Sequence, residues 1–176
     1  MAQKTQHANK RNTDNFRAKK MKDARKLTVK NLVSTTNDTK TIINVTTRML
    51  SVAIKGVSHY IDNGIIKDNN AKIATSVAAT AAANQQSVVA RYKLIDTEAK
   101  TLVENNRTHP LLMLDIMALN LADECSSISN ATIGLLQRDA EILSEIISRC
   151  DKVATPEQLF KPADLAKAAE LIVESK

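Results

Sequence analysis

The chain of 176 residues has the length of one domain, or two small ones at most. An apolar fraction of 43% suits a packed core, yet Trp is absent and only Tyr60, Tyr92, Phe16 and Phe160 are aromatic. Ala, Leu, Ile, Val and Met must therefore build that core, and three Gly and three Pro leave little material for the tight turns of a β-protein. The net charge of +6 is uneven: residues 1–30 hold ten bases and two acids, a net +8, against 15 bases and 17 acids in the remainder. A basic arm on a near-neutral body is a pattern found in proteins that contact nucleic-acid phosphates.

In chain order, residues 1–12 are rich in Gln, Asn and Lys without an apolar anchor, and disorder is expected there. A helix is expected from Asn12 or Thr13, either of which can cap it. Phe16, Met21, Ala24, Leu27 and Leu32 form a loose apolar stripe on that helix, with bases on its other faces. The bases expected to meet phosphates are Lys10, Arg11, Arg17, Lys19, Lys20, Lys22, Arg25, Lys26 and Lys30. Phe16 is the one aromatic among them, which argues against base stacking and for sequence-independent contact.

The polar run Ser34–Thr41 is expected to interrupt the pattern, with Asn37 and Asp38 as candidate caps. Because of that interruption, a continuous basic-region-plus-heptad helix is not expected. Beyond it Ile42, Val45, Met49, Val52, Ala53, Val57, Tyr60 and Ile61 recur at helical steps, and Gly64 supplies a left-handed stop. From Asp68 or Asn70 to about Asn105 neither Gly nor Pro occurs, which predicts one long helix. Ala74, Val77, Ala81, Val88, Tyr92, Ile95, Ala99 and Leu102 trace a near-heptad seam along it. Its uncharged first half, Ile73–Ala90, is expected to be enclosed on more than one side.

Thr108 and Pro110 can open the next helix, whose stripe runs Leu111, Leu114, Ala118, Leu121, Cys125, Ile128. A kink or end is expected at Ser126–Asn130. Leu135, Ile142, Leu143, Ile146, Ile147 and Cys150 then resume the pattern, with Gly134 weakening its start. Thr155-Pro156-Glu157-Gln158 is a helix-start signal, and a last helix follows through Leu165, Ala169 and Ile172.

The fold class read from these signals is all-α: a long-helix antiparallel, coiled-coil-like bundle with a basic, partly disordered arm. The arm is placed at 1–33, the bundle at 34–153 and short terminal helices at 154–176. Ala74, Val77, Ala81, Val88, Tyr92, Leu114 and Leu121 are the residues expected to pack or oligomerise.

No catalytic or metal-binding constellation is recognisable. His7, His59 and His109 are scattered, and phosphate-loop, dinucleotide, zinc-protease and nucleophile-elbow motifs are absent. Cys125 and Cys150 read as reduced thiols on or beside apolar stripes. Glu141 and Glu145 share a helix face but have no partner for acid–base work. No catalytic residue, cofactor, metal or small-molecule substrate is expected. Without an apolar leader or span, the expected location is the cytoplasm, or an assembly built there.

The arm MAQKTQHANKRNTDNFRAKK, together with the helix IATSVAATAAANQQSVVA, resembles the helical virion and DNA-packaging proteins of tailed phages, such as internal ejected proteins and small terminase subunits. The resemblance implies a homo-oligomeric ring or tube near DNA. The expected function is therefore a non-enzymatic assembly protein that self-associates and contacts nucleic acid through its arm. The alternative is a helical adaptor whose arm meets an acidic protein or an anionic membrane.

Overall fold

A computed structural model describes the backbone of residues 2–152 and the side chains of residues 13–152. The fold is all-α, without a strand among the described residues. Helix α1 spans Ala2–Asp62, α2 spans Asp68–Glu104, α3 spans Leu111–Ala131 and α4 spans Arg138–Asp151. A π-helical turn, Thr132–Gln137, joins α3 to α4 without a loop. The helix-start signal at 155–158 and the terminal helix lie outside the described residues.

The expected interruption at Ser34–Thr41 is absent, because α1 runs through it, and the helix begins upstream of the cap expected at Asn12 or Thr13. Buried positions explain the continuity. Leu32, Thr36, Thr39, Ile43, Thr46, Leu50, Ala53, Val57 and Tyr60 follow alternating steps of four and three residues, a heptad stripe with three threonines in it. A threonine can occupy such a stripe when its methyl packs inward and its hydroxyl finds a local partner. Thr36 donates to the Val33 carbonyl at 3.0 Å, and Thr39 accepts from Ser129 at 3.2 Å. The expected stripe of Ile42, Val45, Met49 and Val52 flanks the seam and is half-buried.

The stop at Gly64 forms as expected. Gly64 has φ 67°, its N–H donates to the Ile61 carbonyl, and the Ile65 N–H reaches back to that of Tyr60, both at 2.9 Å. This is a Schellman closure, which satisfies the last carbonyls of α1. Asp68 also has a positive φ, 54°, a conformation that Asp tolerates better than most residues.

Along α2 the buried positions are Ala74, Ala78, Ala81, Val88, Tyr92, Ile95, Ala99 and Leu102. Gln85 completes the heptad spacing and donates to Ser51 at 3.3 Å. Val77 stands half-buried beside Ala78, which takes the seam position. The first half of α2 is enclosed on one side only: Ile73, Thr75, Ser76, Ala79, Thr80, Ala83, Gln86 and Ser87 face solvent. The physical reason is that Ala favours helix by propensity as well as by burial. An uncharged helix face is therefore not evidence of enclosure.

Contacts gather in two units, each described by itself. The first is Met1–Asn37 with Ile95–Cys125, the second Asp38–Leu94 with Ser126–Lys176. In the first unit, segments of α1, α2 and α3 pack around Leu32, Ile95, Ala99, Leu102, Leu114, Ala118, Leu121 and Cys125. In the second, Asn84 of α2 donates to Asp139 of α4 at 2.9 Å, and Tyr60 of α1 donates to Asp151 at the end of α4. Complete burial and that carboxylate hold the Tyr60 phenol above its ordinary range.

The irregularity expected at Ser126–Asn130 falls a few residues later. From Ile128 the buried residues are Thr132, Leu136, Ala140, Leu143 and Ile147, at steps of 4, 4, 4, 3 and 4. A heptad stripe would read 4, 3, 4, 3, 4, so this stretch holds one residue too many. Each residue turns an α-helix by about 100°, so an uncorrected insertion would swing Leu136 and all that follows off the seam. A π-helical turn absorbs one extra residue, and Thr132–Gln137 is where it occurs. Leu136 is thereby fully buried while Leu135, on the expected stripe, is exposed.

Candidate nucleic-acid interface

The basic residues of α1 divide by helical angle. Lys19, Lys22, Lys26 and Lys30 succeed one another at steps of three and four, so they share one face. All four are exposed, and no acid pairs with them among the described residues. Arg25 sits on the seam side of the helix and is half-buried. Its guanidinium donates to the Asn106 carbonyl and, at 2.7 Å, to the His109 carbonyl. A planar fork with fixed donors suits two adjacent carbonyls, and here it holds the turn between α2 and α3. One turn further on, Thr28 donates to Asp115 of α3 at 2.6 Å.

That turn brings a further cation to the arm. A groove of about 640 Å³ is lined by Ala18, Met21, Lys22, Arg25, Lys26, Val29, Asn106 and Arg107. Its charged lining is entirely positive. Ala18, Met21 and Val29 supply apolar walls, and Lys22, Lys26 and Arg107 are the exposed cations. Arg107 was not legible as a site residue, since nothing in the linear sequence brings residue 107 beside residues 22 and 26. Only the return of α2 onto α1 does that. The groove can hold an anionic group by charge, with guanidinium and ammonium donors able to reach oxygens from both walls.

Lys20 turns to another side, its ammonium 4.7 Å from the centre of the Phe16 ring, a cation–π contact one helical turn long. Arg17 is exposed near it. The side chains of Lys10 and Arg11 lie outside the described residues.

The residues expected to pack or oligomerise separate likewise. Ala74, Ala81, Val88, Tyr92, Leu114 and Leu121 are buried within the single chain, and Val77 is half-buried. Any surface for self-association therefore has to be sought elsewhere. Thr108 does not cap α3: its hydroxyl donates to the Asn105 carbonyl at 2.8 Å, and the Pro110 carbonyl accepts the first N–H, from Leu114.

A second cavity, about 440 Å³, lies between α2 and α3 and is lined in part by Glu98, His109 and Glu124. These do not converge as metal ligands, and no group of three candidate ligands occurs among the described residues. Glu145 pairs with Arg149 one turn along α4, and Glu141 accepts from Gln137, so the expected carboxylate pair is spent on surface contacts. Cys125 is buried; burial and the nearby Asp151 raise the pKa of the half-buried Cys150 thiol. Among the described residues no helix is long and apolar enough to cross a membrane.

No family model, no curated protein and no solved structure matches the chain.

Proposed function

We propose that this is a non-enzymatic assembly protein that binds nucleic acid by its phosphates, without regard to sequence, and associates with copies of itself. The observation that carries the nucleic-acid part is the exposed row Lys19, Lys22, Lys26, Lys30, of which Lys22 and Lys26 share with Arg107 a groove that no acid lines. Phosphate contact needs cations that are not already paired, and among the described residues no acid pairs with these five, while Arg25 is engaged with two carbonyls. The likeness of the arm and of the Ala/Thr/Gln helix to phage proteins suggests a virion or DNA-packaging setting. A competing reading, an adaptor on an acidic or anionic membrane surface, draws on exposed Phe16 and Leu27. Met21 lies on a different side of α1, which leaves a thin apolar face for lipid.

The test is binding to duplex DNA and duplex RNA across a salt series. Each phosphate neutralised contributes about 0.9 to the slope of log K against log salt. Five contacts give a slope of about −4.5, or a loss of about 500-fold between 50 and 200 mM salt. Replacing Lys19, Lys22, Lys26 and Lys30 by Gln should flatten the slope by about 3.6 while leaving helicity unchanged. Undetectable binding at low salt would move the weight to the adaptor reading.

A further inference from the structure

The strongest unexplained surface is the outward side of α3. Leu112 is 71% exposed, Ile116 44% and Leu119 64%. They follow steps of four and three, so they form a second stripe on the side of α3 opposite the buried Leu114, Ala118 and Leu121. Met113, also exposed, flanks it on one edge, while Met117 lies further round, at the cavity between α2 and α3. A helix apolar on two opposite faces normally has two neighbours. An exposed patch of this kind marks an interaction site.

The charge around this stripe is one-signed. Residues 111–131 contain Asp115, Asp123 and Glu124 and no base. The first unit also displays the complementary surface. On α1, Phe16 and Leu27 are each 60% exposed and lie on the side turned away from Arg25 and Leu32. Arg17 and Lys20 border them on one edge, Lys19 and Lys30 on the other, and Asp23 lies between them, so the face carries a net positive charge. Both helices already pack in the same unit through their other faces, as the contact between Thr28 and Asp115 records. The two outward faces therefore cannot meet within one chain. They can meet between two.

We propose that the outward face of α3 receives the Phe16–Leu27 face of α1 from a second copy of the chain, with Arg17 and Lys20 of that copy set against Asp123. The arrangement follows the logic of a coiled-coil seam, apolar in the centre and oppositely charged at the edges. Because the two surfaces differ, the contact is heterologous, and repetition closes a ring or extends a filament. The groove-lining Lys22 and Lys26 lie on a different side of α1 from this face, so assembly and phosphate contact at the groove are compatible. The inference rests on the self-association in the function proposed above and assigns its surface.

The test is the mass of nuclease-treated full-length protein in solution by light scattering and sedimentation over a concentration series. The expected result is a species several times the 19.3 kDa chain. Leu112→Glu with Leu119→Glu should reduce it to that single-chain mass, and because both residues are exposed the circular dichroism should not change. Asp123→Lys should do the same, as should Arg17→Glu with Lys20→Glu. An equimolar mixture of these two charge-reversed proteins should reassemble, since each then offers what the other lacks. A wild-type oligomer indifferent to the Leu substitutions, or charge reversals that fail to complement, would overturn the surface while leaving self-association standing. A wild-type monomer would overturn both. If that monomer protected Met113 from oxidation, residues 153–176 of the same chain would be the occupant of the face. Salt-dependent DNA binding is read separately and is independent of either result.

Discussion

Deleting Gly134 should leave the fold intact and raise its stability slightly, although deletions inside helices usually ruin them. The reasoning is numerical. Without residue 134 the buried stripe from Ile128 onward reads 4, 3, 4, 3, 4 and needs no π-helical turn. Leu136, Ala140, Leu143 and Ile147 then reach the seam on a regular α-helix. The deletion also removes a helical glycine, worth up to about 1 kcal/mol relative to Ala, and 1 kcal/mol moves the midpoint of a chain this size by about 2–4 °C. The control is deletion of Asn120, which is equally solvent-facing. There no surplus residue is available locally, and the segment up to the π-helical turn rotates by about 100°. Leu121 and Ile128 leave the core at about 1.5–3 kcal/mol each, a loss of about 3–6 kcal/mol in all. Thermal and urea unfolding of the two deletions, followed by circular dichroism, separates the cases. A Gly134 deletion as damaging as that of Asn120 would refute the account of the π-helical turn as an absorbed insertion.

Gly134→Ala should stabilise the protein by about 1 kcal/mol, because an added Cβ meets nothing within 4 Å; a lowered unfolding midpoint would contradict this. Arg25→Ala should cost about 2 kcal/mol through two lost charge-assisted hydrogen bonds, with little change in the salt slope of DNA binding; Arg25→Lys should not restore stability, since an ammonium lacks the fork. The Tyr60 phenol is raised in the folded state by burial and by Asp151, so its contribution is complete below the ordinary phenol value of about 10 and is lost as pH rises above it. Tyr60→Phe should therefore remove an alkaline loss of stability that sets in above about pH 10 in urea titrations; identical pH profiles for the two proteins would count against the assignment. Ala81→Asp, at a position with no exposed area, should cost about 3 kcal/mol or more by burying an unpaired charge; an unchanged melting temperature would show that this face is solvated.

The all-α class, the bounds of α2 and the stop at Gly64 were legible because each rests on a local rule: no breaker over 37 residues, a 3.5-residue apolar period, a glycine where a positive φ is needed. The continuity of α1 was not, because Thr36, Thr39 and Thr46 count as polar in any hydropathy pattern. The Thr36 hydroxyl is satisfied locally and that of Thr39 by Ser129, and once threonine is allowed in the seam the stripe is unbroken. The slip from Leu135 to Leu136 was hidden for a different reason. Both are leucines, and only the count of residues back to Ile128 shows which one a π-helical turn must deliver to the core. Of the candidate interface, the bases were legible as a cluster but not as separate groups.

What separates those groups is angle around one helix. Residues at 19, 22, 26 and 30 share a face, residue 25 points into the unit, and residues 17 and 20 border Phe16 on a third side. Ten bases in a row of 30 residues look interchangeable when counted. On a helix packed along a heptad seam they are not, because the seam fixes which azimuth meets protein and which meets solvent. Arg25 is an arginine where two carbonyls must be gripped. The solvent row is all lysine, the point charge that suits phosphate contact without geometric demands. The seam thus sets Arg25 apart from the exposed lysines of the row, while the exposed Arg17 belongs to neither group and lies beside Lys20 and Phe16.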